Sequence, residues 1–339
     1  MITRTAPSWH TEDWQILLSG SIRCPETLWK RLNLPLDTLP AALKAHHDFP
    51  LRVPEPYLAK IEPGNIDDPL LKQVLPVAQE TQPRPGFVAD PLGERLTNPS
   101  SGLLHKYQSR VLLILSGACA INCRYCFRRH FPYEDNRLSS QEFADIEAYL
   151  AAHPEVNEVI LSGGDPLVVS NARLATLLKI IENIPTISRL RIHTRLPVVI
   201  PQRIDAGLLD VLANSRLNRV LVTHSNHPQE LDEVFDQAMG ALRQAGVHLL
   251  NQAVLLRGIN DQAHVQAALS ERLFQAGVLP YYLHLLDPVA GAHHFDVPEQ
   301  SAQKMMAQLH RRLPGFLIPR LVREISGKSG KTLIDLHLS

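Results

Sequence analysis

The chain has 339 residues, with 34 Lys+Arg against 34 Asp+Glu and a formal net charge of zero at pH 7. Hydrophobic residues make up 45% and charged residues 20%, a balance that excludes a disordered or collagen-like chain. No basic excess marks a nucleic-acid footprint, and no run approaches the roughly 18 consecutive apolar residues that span a bilayer. Met1 to Gln15 is polar and carries acids, so no secretory signal is expected and the predicted setting is cytoplasmic.

Residues 1–100 hold 14 of the 26 prolines. Proline removes a donor and clashes inside a helix, so short helices and many breaks are expected there. Asp37–His46 and Asp68–Glu80 have helical spacing, whereas Leu51–Pro54 and Gly86–Val88 read as short extended pieces. From about residue 108 the pattern becomes regular. Apolar β-type runs occur at Val111–Leu115, Glu158–Leu161, Leu190–His193, Arg219–Thr223, Leu249–Leu255 and Pro280–Leu285. Helical segments follow the first five at Gln141–Ala152, Ala172–Asn183, Pro201–Asn214, Gln229–Ala245 and Val265–Ala276. Successive runs start 47, 32, 29, 30 and 31 residues apart, and about 30 is what one strand–helix–strand unit needs. The expected class is α/β with a parallel sheet, in either a doubly wound or a barrel version, and ligands collect at the carboxyl ends of the strands in both. The predicted layout is a helical, proline-rich layer at 1–100, a core at 101–315 and a short C-terminal segment at 316–339.

There are four cysteines, far too few for a disulfide scaffold in a chain this long. Cys119, Cys123 and Cys126 form C-x3-C-x2-C just after the first apolar run, and Cys24 stands alone. Three thiolates on one loop hold a soft metal or an iron–sulfur cluster. His130, four residues on, is placed to complete a Cys3His zinc site in a non-catalytic binding module, so spacing alone leaves both readings open.

Other polar residues gather at strand ends. In Ser162-Gly163-Gly164-Asp165 the glycines allow close backbone approach, and Asp165 is either free to pair with a cation or a helix N-cap. Lys106, Tyr107 and Arg110 border the first run and Arg195 ends the third; they are solvated cations or an anion site. Lys328 and Lys331 lie in Gly-Lys-Ser-Gly-Lys-Thr, which read bare is a surface turn. Asp287 and Glu324 form a candidate pair for an ammonium. His224, Asn226, His227, Asn251 and Gln252 complete the set; any one of the 16 histidines is by default structural.

The cysteine motif after the first strand of a six-unit β/α array resembles the radical S-adenosylmethionine (SAM) superfamily. The text around it is similar to the lysine 2,3-aminomutase family over roughly residues 85 to 339. The matching stretches are Cys126-Phe-Arg128-Arg129-His130-Phe, Leu161-Ser-Gly-Gly-Asp165-Pro-Leu, Thr194-Arg195-Leu-Pro-Val-Val-Ile-Pro-Gln-Arg203, Thr223-His-Ser-Asn-His-Pro and Asn251-Gln-Ala-Val-Leu-Leu-Arg-Gly-Ile-Asn. The His-Phe-Pro-Tyr continuation after Arg129 looks most like the short branch, which makes (R)-β-lysine for modification of elongation factor P.

The resemblance implies an incomplete (β/α)6 barrel and a set of roles. Cys119, Cys123 and Cys126 would hold a [4Fe–4S] cluster whose fourth iron takes SAM. Ser162, Gly163, Gly164, Asp165, His224 and Gln252 would bind SAM. Lys331 would form the Schiff base with pyridoxal 5′-phosphate (PLP), with Lys328 as the rival, and Lys106, Arg110 and Arg195 would hold its phosphate. Arg128 would grip the substrate α-carboxylate, Asp287 and Glu324 the ε-ammonium of L-lysine, with Tyr107 beside them. Lys106 stands where the family has arginine, and Glu324 where it has aspartate. The implied reaction moves an amino group from C2 to C3, which requires removal of a hydrogen beyond the reach of any side-chain base. Implied partners are L-lysine, a one-electron donor and a ligase acting on elongation factor P. An aminomutase making free β-lysine, or acting on another amino acid, fits the same pattern, and a homo-oligomer is left open.

Overall fold

The computed structural model describes residues 13–94, 102–131, 142–328 and 330–336. Its centre is one sheet whose strands lie in sequence order: β1 (Leu103–Tyr107), β2 (Arg110–Ser116), β3 (Glu158–Gly163), β4 (Arg189–Thr194), β5 (Asn218–His224), β6 (His248–Val254), β7 (Leu279–His284), β8 (Arg320–Arg323) and β9 (Thr332–Leu333). The strands from β2 to β8 pair in parallel, and β1 and β9 pair antiparallel at the two edges. The edges do not pair with each other among the described residues, so the barrel is open along one side.

Strands β2 to β7 are the six apolar runs of the sequence. The three others carry little periodic signal because they are short: β8 has four residues and β9 two. Helices cover the outside: α6 (Glu142–Ala152), α7 (Asn171–Glu182), α8 (Leu196–Val199), α9 (Ala206–Ala213), α10 (Glu233–Gln244), α11 (Ala263–Gln275) and α12 (Glu299–His310). Two predicted helices are each cut in two by an acidic cap. Asp205 accepts from the Leu208 amide and starts α9 after a 3-10 turn, and Asp232 does the same for α10 through Phe235.

Before the sheet come α1 (Trp14–Ser19), α2 (Pro25–Leu32), α3 (Leu39–Asp48), α4 (Glu55–Leu58) and α5 (Pro69–Lys72). The helix expected over Asp68–Glu80 does not form as one piece. Asp68 caps α5 through the Leu70 and Leu71 amides, and the chain resumes helical geometry only in a 3-10 turn at Ala78–Thr81, past Pro76. The two extended pieces make single bridges, Val53 to Ile22 and Val88 to Val289. Leu28, Trp29, Tyr57 and Leu70 share one continuous apolar core with Leu161, Leu221 and Leu283 of the sheet.

Polar contacts fix this layer to the loop that carries the three cysteines. The Glu80 carboxylate receives Arg124 Nη2 at 2.5 Å and Arg129 Nη2 at 2.8 Å, with all three side chains at most 2% exposed. Both guanidiniums lie over the Phe49 ring. The Arg124 and Asn122 amides donate to Gln73 and Arg52 carbonyls. Replacing Glu80 by Ala would strand two buried guanidiniums, so Glu80→Ala is expected to lower unfolding free energy by about 3–5 kcal/mol in urea titration. An effect within the ~0.5 kcal/mol typical of surface changes would show that this pair does not hold the layer in place.

Candidate active site

The carboxyl ends of the parallel strands open into a cavity of about 570 Å³, within the range of small-molecule and cofactor sites. Every residue given a role by the resemblance lines it. His227, Asn251 and Lys328 do not, and Lys328 is exposed. Cys24 is an exposed thiol on the N-terminal layer.

At one end stand the cysteines. Burial, then the neighbouring Cys126, pushes the Cys119 thiol well above the usual range, and burial with Cys123 raises Cys126 to about 11. A metal centre here must displace protons on binding. Among the described residues no three His, Cys, Asp or Glu side chains converge on a single ion. His130 faces away, its Nε2 against the Ala290 carbonyl at 3.2 Å. The three sulfurs line the same cavity, and a four-iron cubane would take one thiolate at each of three corners.

The glycine pair ties this loop to the sheet. A register shift at the end of β2 sets Ser116 opposite Gly163. The Gly164 amide donates to Ser116 O at 2.7 Å, and the Asp165 amide to Ala118 O at 2.8 Å. A Cβ on Gly163 would lie 2.4 Å from Ser116 O, one on Gly164 2.4 Å from Ala118 O, and Gly163 has φ of +126°. The close approach read from the sequence is therefore made to the cysteine loop itself. Of the two readings of Asp165, its carboxylate takes the N-cap. It accepts from Thr194 Oγ1 and from the Leu167, Arg195 and Leu196 amides, the N-cap arrangement.

Arg195, expected at a phosphate, lines the cavity with Lys106 and Arg110. It shares none of its hydrogen-bond partners with Lys106 or Arg110. Its guanidinium meets Glu230, Gln73, Tyr57 and the sulfur of Cys123. Arg128 holds a carboxylate in its fork, with Nε and Nη2 each 2.7 Å from Glu94, while Nη1 reaches Ser162 Oγ and Gly163 O at 3.2 Å. The fork of Arg128 is thus filled by a carboxylate of the chain itself.

At the other end the β8–β9 hairpin sets Arg323 opposite Thr332, which brings Glu324 and Lys331 together as the strands part. Lys331 Nζ lies 2.6 Å from Glu324 Oε2, and Lys106 Nζ 3.0 Å from Oε1. Lys106 is on β1, so this pair bridges the open side of the barrel. Although burial opposes it, Lys331 and then Lys106 hold the Glu324 carboxyl down to about 2. Tyr107 adds its hydroxyl at 3.2 Å, its own ionisation pushed to about 12 by burial and Glu324, and Arg110 stacks on the Tyr107 ring.

Between the two ends sits Asp287, just past β7. Burial, then the charge of Glu324, raises it to about 7, and its Oδ1 is buried without a hydrogen-bond partner. The folded chain holds this proton where the unfolded chain releases it, so the Asp287 contribution to stability falls as pH rises from about 4 to about 7. His193, His224 and His284 project into the cavity from β4, β5 and β7; burial lowers all three, His224 to about 3, and they are neutral at pH 7. Gln252 meets His224 Nε2 at 2.8 Å, whereas His193 Nε2 and His284 Nε2 have no partner.

A model of the Radical SAM superfamily matches residues 113–269. The chain is 49% identical to L-lysine 2,3-aminomutase of Escherichia coli, over 100% of this chain and 98% of that one. It is 49% identical to the protein of the same name from Haemophilus influenzae, over 95% of each. The Clostridium subterminale enzyme matches at 34% over 94% of this chain and 77% of its own. The chain belongs to the L-lysine 2,3-aminomutase family. It is a radical SAM enzyme and an isomerase with an incomplete α/β barrel, and the superfamily match supports SAM and a [4Fe–4S] cluster as its cofactors.

Sequence reading missed several residues of this aminomutase-family site. Glu94, Glu230, Gln73 and Tyr57 carried no motif, and they reach it by folding from up to 138 positions away. His193 and His284 were hidden inside apolar strands. Because a Cβ at position 164 would overlap backbone, Gly164→Ala is expected to cost about 1–3 kcal/mol and to lower iron retained after anaerobic reconstitution. Wild-type stability and iron content in that variant would contradict the packing described.

Proposed function

We propose that this protein is an L-lysine 2,3-aminomutase that uses PLP together with SAM and the cluster. In this reading it converts L-lysine to (R)-β-lysine in the cytoplasm. A ligase then attaches the product to elongation factor P, and a separate one-electron donor reduces the cluster. The observation that carries the reading is the pairing of Lys331 with Glu324 in the cavity that the three cysteines also line, with the buried Asp287 beside them.

When bound, SAM and the reduced cluster supply the one-electron chemistry that removes an unactivated hydrogen, and PLP supplies the conjugated carbonyl through which an amino group is moved. The chain's own residues do the rest. Lys331 offers the amine for PLP, and Lys106 and Arg110 stand next to it as phosphate partners. Glu324, which Lys331 and Lys106 hold as a carboxylate, would receive a substrate ammonium. Asp287 is a second acceptor, and its unpartnered Oδ1 supports this use. Arg128 takes the α-carboxylate in place of Glu94. A cation-seeking carboxylate pair favours lysine over an acidic amino acid. Walls of Leu104, Ile160, Val254 and Leu286 keep water from the reacting atoms.

Anaerobic reconstitution with iron and sulfide, followed by SAM, PLP, a reductant and L-lysine, is expected to yield β-lysine and to leave D- and L-glutamate unchanged. No β-lysine from a preparation with a full cluster would refute the reading. Lys331→Ala should lose the visible absorbance of the PLP–lysine linkage while keeping its iron, and retention of that band with loss in Lys328→Ala would move the linkage to Lys328. Ionised Asp287 attracts the substrate ammonium, so KM for L-lysine should fall as pH rises through about 7. Asp287→Asn should flatten that limb, and an unchanged profile would exclude Asp287 from ammonium binding.

A further inference from the structure

Arg195 directs its charge at a cysteine. Its Nη1 lies 2.6 Å from Cys123 Sγ, and the residue is 5% exposed. Its other face is anchored from three parts of the fold. Nη2 meets Glu230 Oε2 at 3.0 Å, Gln73 Oε1 at 2.8 Å and Tyr57 Oη at 3.4 Å. The guanidinium lies over the rings of Tyr57 and Tyr125. The anchors are themselves held. Glu230 Oε1 accepts from the Asn226 and His227 amides and from Gln73 Nε2, and Asn226 Nδ2 donates to Tyr125 Oη at 2.6 Å. The Arg195 amide is tied to Asp165, which also fixes the Leu196 amide. Nη2 is anchored by these partners, Nη1 is oriented toward the cysteine loop, and Nε is buried without a hydrogen-bond partner.

We propose that Arg195 is a positioning residue for the cluster: it donates a charge-assisted hydrogen bond to the thiolate of Cys123 and thereby raises the cluster's reduction potential. This rests on the cluster assignment above. The redox step is the transfer of one electron from the external one-electron donor to the cluster, which becomes one charge more negative while no bond to Cys119, Cys123 or Cys126 breaks. A fixed cation and hydrogen bond at one sulfur favour the more negative form. Glu230 offsets part of the field and keeps the buried guanidinium from being an unpaired charge. The sulfur meets Nη1 directly, whereas the carboxylate is on Nη2, so the charge in contact with the sulfur is the cation.

The test is a redox titration of the anaerobically reconstituted full-length protein, followed by the electron paramagnetic resonance signal of the reduced cluster, with iron content as the loading control. Arg195→Met/Glu230→Gln removes both charges together and leaves no lone buried carboxylate, and Arg195→Lys keeps the charge without the fork. At a fixed ambient potential the double variant should hold about tenfold less reduced cluster than wild type, a shift of about 59 mV for a one-electron couple. Arg195→Lys should shift the same way by less. An unchanged midpoint in the double variant with wild-type iron content would overturn the proposal. So would an unchanged midpoint accompanied by weakened PLP binding, which would return Arg195 to the phosphate. Wild-type protein that takes up no iron would instead refute the cluster assignment itself.

Discussion

A guanidinium taken out of water must be met by a carboxylate, and this demand organises the protein around its cysteine loop. Leaving such a charge unpaired costs several kcal/mol, more than most single contacts supply. Arg124 and Arg129 are met by Glu80, Arg128 by Glu94, and Arg195 by Glu230. Each acid comes from a different part of the chain. The N-terminal layer and the approach to β1 are thereby drawn onto the cysteine loop, and the turn after β5 onto Arg195 at the end of β4, which itself meets Cys123. The apolar core supplies the bulk of the stability, but these pairs decide where the loop sits.

The cavity that results has two electrostatic ends. Thiols and Arg195 occupy one; at the other, Glu324 is shared by Lys331 and Lys106 across the open side of the barrel. Between them lie neutral histidines and Asp287, whose ionisation is poised near neutrality by burial. The charges that meet in this cavity are local, in keeping with a chain whose net charge is zero. The pairings seen within the protein, Glu94 in the fork of Arg128 and Glu324 on Lys331, are of the kind its substrates would make.

Much of this was legible in the sequence because it is local. The six long strands announce themselves by apolar runs about 30 residues apart, and the cysteine, glycine and lysine motifs sit at strand ends where the topology requires a site. What escaped was short or distant. β8 and β9 are too brief to show a period, and the acidic caps at Asp205 and Asp232 cut helices that looked continuous. The roles of Asp165 and Arg195 stayed open because a motif shows a residue's chemistry and not its partners. The partners, Thr194 and Glu230 among them, are set by tertiary folding. Gln73 and Tyr57 lie in the proline-rich layer, where nothing periodic singles them out.

The most direct measurement is a structure of the anaerobically reconstituted protein with SAM and PLP, with anomalous scattering collected at the iron edge. The account predicts a four-iron cluster with Cys119, Cys123 and Cys126 on separate irons, the fourth iron bearing SAM, and continuous density from Lys331 Nζ to the pyridoxal ring. A single metal ion shared by the cysteines with His130, or PLP bound away from Lys331, would contradict it.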